Sequence, residues 1–345
     1  MPVRHFIDTQ DFQAAELLAI IDLARQLKEA DRAGACPRLL DGASLGMLFE
    51  EPSTRTRVSF EVAMTKLGGH ALYLRPGEIH LGQRESIEDT ANVLERMVDV
   101  IEARTLKHST LTRLAAQADV PVINGLTDYN HPTQAMCDVM TMMEHAERGK
   151  PLSQCRVVFV GDATNVCNSL AQICTQMGMH FTHAAPPRYQ IGSGVQAIAR
   201  HNCRSSHGSL TVTADVSTAV RDADFLYTDL WWWIGQESEI PERRAAFMPT
   251  YQLNRALVAQ APTFCRIMHC LPASRGVEAT DEVLDSPRSI IFDQAENRLH
   301  MEKGLLAWFV WPRLRRTDEH VRSNYRKQID AFLEHSHGTP NRDFP

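Results

Sequence analysis

The sequence predicts an α/β protein made of two doubly wound parallel sheets, followed by an extra C-terminal helix. Short apolar runs of strand type alternate with amphipathic helical stretches along most of the 345 residues, which is typical of parallel sheets covered by helices. The alternation is interrupted at Gly149-Lys150-Pro151 and then starts again. We therefore expect one domain over residues 1–148, a second over residues 149–310, and a helical extension over residues 311–345.

The individual elements follow from the period of the apolar residues and from the residues at each end. Strands are expected at residues 45–49, 70–74, 99–104, 120–124, 156–161, 180–184, 209–213, 224–228, 265–269 and 289–292. Helices are expected at residues 9–34, 52–67, 86–98, 109–118, 133–147, 165–177, 193–203, 216–221, 294–310 and 318–336. Thr9 is the expected N-cap of the first helix, and Pro312 is expected to break the chain before the last one. The apolar stripe of that last helix needs a partner, either a neighbouring subunit or its own domain.

Composition limits the classes of function. The chain is 43 % hydrophobic and 23 % charged, and its net charge of −6 gives no reason to expect a nucleic-acid or membrane partner. No apolar run reaches the roughly 18 residues of a membrane span. The eight cysteines are scattered without a CxxC pair, which indicates reduced thiols and a cytoplasmic protein.

The turn from the first strand into the following helix carries an unusual set of side chains. Residues 53–57 read Ser-Thr-Arg-Thr-Arg, at a helix start where acidic residues are normally found. Backbone N–H groups, hydroxyls and guanidinium groups together form a phosphate site. The alternative is a basic first turn that simply faces solvent.

Three further segments place polar side chains where a strand ends or a helix begins, as ligand sites in such sheets do. These are Arg104, then His131 with Gln134, and then His269-Cys270-Leu271-Pro272. Each is a weak signal alone, because a single histidine is more often structural than catalytic. The motifs HExxH, GxxxxGKS, GxGxxG and GxSxG do not occur, which argues against zinc-hydrolase, P-loop, dinucleotide-binding and serine-hydrolase functions.

Taken together and in this order, the four segments resemble the aspartate/ornithine carbamoyltransferase superfamily, and the run from Asp293 to Arg298 fits as well. The resemblance extends to about residue 310. It implies the two-domain transcarbamylase fold, carbamoyl phosphate as donor, and a homotrimer with active sites at subunit interfaces. It implies neither a metal nor an organic cofactor.

The resemblance also assigns roles to residues of this chain. The residues expected to bind carbamoyl phosphate are Ser53, Thr54, Arg55, Thr56, His80, Arg104, His131, Gln134, Leu271 and Arg298. Within this set the catalytic residues are Arg55, Arg104 and His131, with Cys270 from the acceptor side. In family members the residue at position 80 reaches into the neighbouring subunit's site, and ornithine enzymes have Gln where this chain has His80.

The acceptor is expected to be a small primary amine. The residues expected to bind it are Asn165, Asp229, Trp233, Ile234, Cys270, Leu271 and Pro272. Ornithine enzymes have a Ser-Met-Gly loop after Asp229, and here a tryptophan run places Trp233 where they have Ser. A large apolar group with fewer donors favours an acceptor without a carboxylate, although these tryptophans could instead be packing residues.

Several stretches also resemble family members that use putrescine in agmatine degradation, a branch of polyamine metabolism. They include residues 161–164, 268–276 and 277–283. Putrescine is therefore the expected acceptor, in either direction of the reaction, and ornithine is the alternative. A third hypothesis is a non-catalytic protein that binds carbamoyl phosphate.

Overall fold

The computed structural model describes residues 3–79, 81–82, 84–233, 235–315 and 327–331. Packing divides them into two compact units. Unit 1 contains residues 3–7, 15–128 and the described residues from 298 onward, and unit 2 contains residues 8–14 and 129–297. The chain therefore passes between the units more than once.

The order of elements alternates strands and helices as the sequence predicts. The strands are β1 (Ser44–Phe49), β2 (His70–Leu74), β3 (Val100–Arg104), β4 (Val122–Leu126), β5 (Arg156–Val160), β6 (His180–Ala184), β7 (Ser209–Thr213), β8 (Phe225–Thr228) and β9 (Arg266–His269). The helices are α1 (Ala14–Arg32), α2 (Thr54–Lys66), α3 (Ile87–Leu94), α4 (His108–Gln117), α5 (Pro132–His145), α6 (Asn165–Gln176), α7 (Ser193–Ser206), α8 (Val216–Ala219), α9 (Ile240–Phe247), α10 (Arg255–Val258), α11 (Asp281–Leu284) and α12 (Ile291–Arg315).

Each unit is built around one parallel sheet, which confirms the predicted fold class. In unit 1 the strand order is β2-β1-β3-β4, and every neighbouring pair is parallel. In unit 2 the order is β7-β6-β5-β8-β9, again with parallel neighbours throughout. Leu48, Ile101 and Val122 belong to the core of unit 1, and Val158 and Leu226 to that of unit 2.

Strand order decides which carboxyl ends are neighbours. In unit 1, β1 pairs with β3, so Phe49 lies beside Arg104 where the chain enters α2. In unit 2, β5, β8 and β9 are consecutive in the sheet, so the residues after Val160, Thr228 and His269 emerge at the same edge. Ligands of open α/β sheets bind at such edges.

Three local expectations are wrong. Residues 289–292 do not form a strand, because Ser289 makes only an isolated bridge with Ile267 and α12 begins at Ile291. Pro312 lies inside α12 and does not end it. The first helix begins at Ala14, after a separate short turn that is capped by Asp8 and not by Thr9.

Helix α12 spans 25 residues, and it starts in unit 2 and continues in unit 1 from Arg298. Neither it nor any other described helix combines the length and apolar content needed to cross a membrane. Of the expected helix over 318–336, residues 327–331 are helical and the others lie outside the described residues.

Candidate active site

The start of α2 is capped by its own hydroxyl groups. Ser53 has an extended backbone, with φ of −150° and ψ of 117°, and its Oγ accepts a hydrogen bond from Thr56 N at 3.4 Å. Thr54 is exposed, whereas Thr56 is only 1 % exposed. The first turn contains no acidic residue. The positive end of this helix can therefore attract an anion from outside the helix.

The two arginines of this turn have different surroundings. Arg57 is exposed, lies 3.2 Å from Glu61 Oε2, and places its guanidinium 4.2 Å from the centre of the Tyr73 ring. It has local partners, so the interpretation as a solvent-facing residue suits Arg57. Arg55 is half-buried and close enough to Arg104 to affect the pKa of that residue. Arg55 is therefore the arginine of this turn that lies with Arg104.

Arg104 brings another guanidinium to the same place from the end of β3. Burial lowers the pKa of Arg104 to about 10; Glu102 opposes this shift, whereas Arg298 and Arg55 add to it. Three guanidinium groups therefore repel one another inside unit 1. A bound anion would relieve that repulsion, because an opposite charge favours the charged form of each group.

Arg298 reaches this cluster from α12. Its Nη2 lies 3.5 Å from Thr56 Oγ1, and its Nε and Nη2 donate to Glu302 Oε1 at 3.1 and 2.6 Å. Unit 1 thus brings together five of the expected carbamoyl-phosphate residues: Ser53, Arg55, Thr56, Arg104 and Arg298. We call Arg55, Arg104 and Arg298 the arginine cluster. His80 lies outside the described residues.

In unit 2, His131 and Gln134 stand at the start of α5. His131 is 5 % exposed, its backbone N–H donates to Ser169 Oγ at 2.8 Å, and its Nδ1 lies 3.3 Å from Thr133 Oγ1. Gln134 Nε2 donates to Asp138 Oδ1 at 2.8 Å. Both side chains are thus held by neighbours and not by solvent, as preorganised polar groups must be.

Asp138, which the sequence did not single out, fixes Gln134 in a buried network. Its Oδ1 also accepts from Gln294 Nε2 at 2.7 Å, and its Oδ2 accepts from Tyr227 OH at 3.0 Å. Gln294 Oε1 in turn accepts from His269 N at 2.9 Å. The network therefore links α5 to the ends of β8 and β9. One sequence signal for this network is the spacing of four residues between Gln134 and Asp138 on a buried helix.

Asp229 and Cys270 meet where β8 and β9 end. Cys270 Sγ donates to Asp229 Oδ1 at 3.0 Å, and Leu230 N donates to the same oxygen at 2.8 Å. Asp229 is 3 % exposed, and its Oδ2 accepts no hydrogen bond from the described residues. The carboxylate is therefore fixed by one oxygen, while the other is left for an external donor.

The backbone after Cys270 is strained. Leu271 has a φ of 59°, a left-handed conformation that is rare for a residue with a side chain. His269 stabilises it, because its Nδ1 accepts from Leu271 N at 2.8 Å while its Nε2 lies 3.2 Å from Glu278 Oε1. Such strain persists where the surroundings fix it, frequently at functional sites. Pro272 follows directly.

The segment after Asp229 is anchored by an ion-pair network. Trp231 is buried and stacks on Phe247 with ring centres 5.0 Å apart. Arg243 donates to Trp231 O at 2.8 Å and to Asp162 Oδ2 at 2.6 Å. Trp231 is therefore a packing residue. Its neighbour Trp233 is half-buried. The backbone N–H of Trp233 donates to Gln236 Oε1 at 3.0 Å, and its carbonyl oxygen accepts from Gln236 N at 3.0 Å.

Asp162 and Asp229 lie close enough in unit 2 to influence each other. Burial raises the pKa of Asp162, Arg243 opposes this shift, and the negative charge of Asp229 adds to it. Asn165 is buried at the first position of α6. Unit 2 thus gathers the expected acceptor residues Asn165, Asp229, Trp233, Cys270, Leu271 and Pro272, while Ile234 lies outside the described residues. The set also includes Asp162, which was not expected.

Asp229, His269 and Cys270 lie close enough to suggest a metal site, with one potential ligand atom of each within 4.8 Å of the others. The donors do not suit a metal, however. His269 uses Nδ1 for Leu271 N and Nε2 for Glu278, so neither nitrogen has a free lone pair directed at an ion.

Each unit thus has a parallel sheet with a charged cluster, arginines in unit 1 and a buried carboxylate in unit 2, an arrangement that suits an enzyme with one anionic and one cationic substrate. Comparison with protein families agrees with this class. Residues 4–144 match the aspartate/ornithine carbamoyltransferase carbamoyl-P binding domain, and residues 153–309 match the Asp/Orn binding domain of the same family.

Individual relatives are similar over nearly the whole chain. The putrescine carbamoyltransferase of Mycoplasma capricolum subsp. capricolum is 53 % identical over 341 residues, covering 96 % of this chain and 93 % of that protein. The ornithine carbamoyltransferase of Pyrococcus horikoshii is 47 % identical over 304 residues, covering 88 % and 95 %. The solved ornithine carbamoyltransferase of Pyrococcus furiosus has a TM-score of 0.86 at 46 % identity, covering 90 % and 97 %. The chain belongs to the aspartate/ornithine carbamoyltransferase family and is a carbamoyltransferase.

Proposed function

We propose that this enzyme transfers the carbamoyl group of carbamoyl phosphate to putrescine, giving N-carbamoylputrescine and phosphate, or catalyses the reverse phosphorolysis. The relatives named putrescine carbamoyltransferase, at 53 % identity, support this choice. Agmatine degradation, a branch of polyamine metabolism, is the proposed setting. Residues 1–148 are proposed as the carbamoyl-phosphate domain and residues 149–310 as the amine domain.

The donor roles follow from charge. Ser53, Thr54, Arg55 and Thr56 bind the phosphate through N–H, hydroxyl and guanidinium donors. Arg104, His131 and Thr56 polarise the carbamoyl carbonyl, while Gln134, Leu271 and Arg298 hold the carbamoyl group. The neutral amine nitrogen attacks the carbonyl carbon, and negative charge grows on its oxygen, where fixed donors stabilise it. The bond from carbon to the phosphate oxygen then breaks, and the departing phosphate takes the proton from nitrogen.

The choice of a diamine rests on the relatives at 53 % identity, and the acceptor side of unit 2 is compatible with it because Asp229 can pair with an ammonium group. Asp229 offers one carboxylate oxygen, and Asp162 is close enough for its pKa to be raised by Asp229. The nearby Arg243 is engaged by Asp162, Glu239 and Trp231 O, so its positive charge is already paired. An α-carboxylate such as that of ornithine gains little here, whereas an ammonium group is stabilised. Trp233 adds an aromatic face, which also attracts an ammonium group.

A panel of acceptors tests this proposal. Steady-state rates would be measured with putrescine, cadaverine, agmatine, lysine and ornithine at saturating carbamoyl phosphate. We expect the highest kcat/KM with putrescine. A higher kcat/KM with ornithine would contradict the proposed acceptor without affecting the assignment as a carbamoyltransferase. Absence of turnover with every amine, despite binding of carbamoyl phosphate, would favour the non-catalytic hypothesis.

Ornithine remains the second candidate because relatives at 47 % identity carry that name and because Asn165, Asp229 and Cys270 are present. The substitution Trp233→Ser separates the two acceptors. If Trp233 excludes the carboxylate, the variant should lose preference for putrescine over ornithine by on the order of tenfold, the value of about 1.4 kcal/mol of discrimination. Trp232→Ser is the matched control. An unchanged preference in both variants would mean that the tryptophans only pack.

We also propose a homotrimer with active sites at subunit interfaces, in which His80 contributes to the neighbouring site. Unit 1 exposes large apolar side chains that a subunit contact would cover. They are Val58, Leu72, Val93, Met97 and Leu106, with Met97 71 % exposed. Light scattering would give the mass of the assembly, and Met97→Glu should weaken it. A monomeric wild type would contradict the proposal.

A cytoplasmic location is proposed from the thiols. All eight cysteines lie among the described residues, and none forms a disulfide. Proteins of oxidising compartments commonly pair such residues. Fractionation of cells that produce the protein at native level would test this location.

A further inference from the structure

Two glutamates lie inside unit 1 beside the arginine cluster, and the proposed reaction uses neither. Glu102 is on β3, two residues before Arg104, and Glu302 is on α12, one turn after Arg298. Both are 0 % exposed. Carboxylates are rarely buried without a paired charge or a metal, because removal of the charge from water is costly. Their position therefore calls for a physical explanation.

The surroundings of Glu102 leave its carboxyl group without donors. Among the described residues neither of its oxygens accepts a hydrogen bond. The group occupies space that exists because Gly125 has no side chain: a Cβ on Gly125 would lie 1.6 Å from Glu102 Oε1. Glu302 accepts from Arg298 through Oε1, while its Oε2 accepts none from the described residues. Arg298 and the Ser59 hydroxyl lower the pKa of Glu302, but the opposing effect of burial is larger and favours the protonated form.

The two acids also repel each other. Burial raises the pKa of Glu102 well above its usual value, and the negative charge of Glu302 raises it further. Burial raises the pKa of Glu302 to about 7, against the opposing effect of Arg298. Interacting carboxyl groups of this kind titrate as a unit and retain a proton to higher pH than either would alone.

We propose that Glu102 and Glu302 form a buried acid pair beside the arginine cluster, that Glu302 positions Arg298 through their ion pair at 2.6 Å, and that binding of the phosphate end of the substrate is coupled to uptake of a proton by this pair. The inference rests on the proposed function, which makes the arginine cluster the phosphate site. The step is a simple protonation, in which a carboxylate oxygen takes a proton from solvent and no other bond changes. When Glu302 is ionised it neutralises Arg298, and when it is protonated that positive charge is available to the anion.

The groups around the pair allow this effect to be isolated. The charged groups that act on the pair are Arg104 on β3 and Arg298 on α12, while Arg55 on α2 and Glu51 before that helix act on Arg104. Lys303 donates instead to Leu27 O at 3.0 Å and to Asp31 at 2.9 Å on α1. Arg104 has a pKa of about 10 and Glu302 one of about 7. We therefore expect the acid pair to change charge around neutral pH while Arg104 keeps its charge.

Proton uptake can be counted directly. Titration calorimetry with phosphonoacetamide, a stable analogue of carbamoyl phosphate, would be run near neutral pH in two buffers of different ionisation enthalpy. We expect the wild type to take up a larger fraction of a proton per analogue bound than Glu302→Gln or Glu102→Gln. The titration of the analogue itself is common to all proteins and cancels in this difference. Glu88→Gln, which removes an exposed partner of Arg113 in the same unit, is the control and should behave as the wild type.

A kinetic readout gives an independent test. As pH rises from about 7 to about 9, the KM for carbamoyl phosphate should increase by up to about tenfold in the wild type, the effect of one pKa unit of coupling. The increase should be smaller in Glu302→Gln, and kcat should follow the same pH profile in both. The inference would be overturned if both glutamine variants showed the same proton uptake and the same pH profile of KM as the wild type. If one variant does not fold, the other carries the same expectation.

The proposed function fails in a different way. Arg55→Ala should bind phosphonoacetamide at least on the order of 100-fold more weakly, since a direct charged contact is lost. If Arg55→Ala binds the analogue as the wild type does, the assignment of the phosphate site is wrong. If Arg55→Ala loses binding while Glu302→Gln keeps full proton uptake, only the inference about the acid pair is wrong.

Discussion

Two arginine–glutamate pairs in unit 1 share a spacing of four residues on a helix and differ in their surroundings. Arg57 and Glu61 on α2 are 3.2 Å apart, with side chains 45 % and 43 % exposed. Arg298 and Glu302 on α12 are 2.6 Å apart, with side chains 3 % and 0 % exposed. Sequence spacing predicts the same contact for both pairs. Burial decides what each contact does.

The exposed pair is a surface interaction, worth less than about 1 kcal/mol because water and salt screen it. The buried pair has lost its hydration, so each partner depends on the other. The pKa of Glu302 in this pair is raised to about 7, so the charge of the pair changes with pH in the physiological range. The comparison therefore predicts large, pH-dependent effects for α12 and small, pH-independent effects for α2.

The largest effect is expected from Arg298→Ala, which leaves Glu302 buried without its cation. At about pH 8 the free energy of unfolding should fall by about 3–5 kcal/mol, as for other broken buried pairs. Near pH 6 the loss should be smaller, because Glu302 can then take up a proton. Urea unfolding at the two pH values measures both. Equal losses at both pH values would show that Glu302 does not titrate in this range.

The substitution Glu302→Gln tests the raised pKa by removing the titrating group itself. In the wild type the folded state holds the proton more tightly than the unfolded state, so this group stabilises the fold most at low pH. That stability is lost as pH rises from the unfolded value of 4.5 toward the folded value of about 7, a span worth about 3 kcal/mol. The difference in unfolding free energy between variant and wild type should shift by this amount in favour of the variant. A constant difference across the range would contradict the raised pKa.

The smallest effect is expected from Arg57→Ala. Its partners are the exposed Glu61 and the Tyr73 ring, so unfolding free energy should change by less than about 1 kcal/mol. The change should be the same at about pH 6 and pH 8, because the contact is exposed and screened by water. Thermal unfolding in low and high salt measures it. A loss comparable to that of Arg298→Ala would end the distinction drawn between the pairs.

The α2 turn was predictable from sequence because its information is local. A short apolar strand, a capping serine and an apolar helical face all lie within about twenty residues, and local propensity agrees with the final structure. The prediction included Arg57 in the phosphate site, whereas the structure gives Arg57 local partners, Glu61 and the Tyr73 ring. Glu61 could have been recognised by its spacing, whereas Tyr73 depends on the packing of β2.

The acid pair and the Asp138 network were not predicted, because their members meet only in the folded chain. Glu102 and Glu302 are separated by 200 positions in the numbering of the sequence, and no local pattern connects them. One signal was present: Glu102 interrupts an otherwise apolar run in a strand that parallel sheets bury on both faces. Asp138 had a weaker signal, a charge on a helix whose other residues are mostly apolar.

The wrong strand at residues 289–292 has a different cause. Ser289-Ile290-Ile291-Phe292 is a short apolar run, and periodicity cannot distinguish a buried strand from a helix start in so few residues. Ile290 N donates to Ile267 O, and Ile267 N donates to Arg288 O, so the segment extends the edge of the sheet by one isolated bridge before α12 begins. Phe292 is 68 % exposed, which a buried strand would not allow.

Gly125 gives the carboxyl group of Glu102 its place, and this makes positions 102 and 125 share one volume. Neither position can be varied independently, because any side chain at 125 competes with a long side chain at 102. Among sequences that adopt this fold, a glycine at the second position should accompany a long residue at the first. A short residue at the first should permit alanine at the second. Engineering of the charge around this anion site would therefore have to consider Gly125 on the adjacent strand first, because it limits which residues fit at position 102.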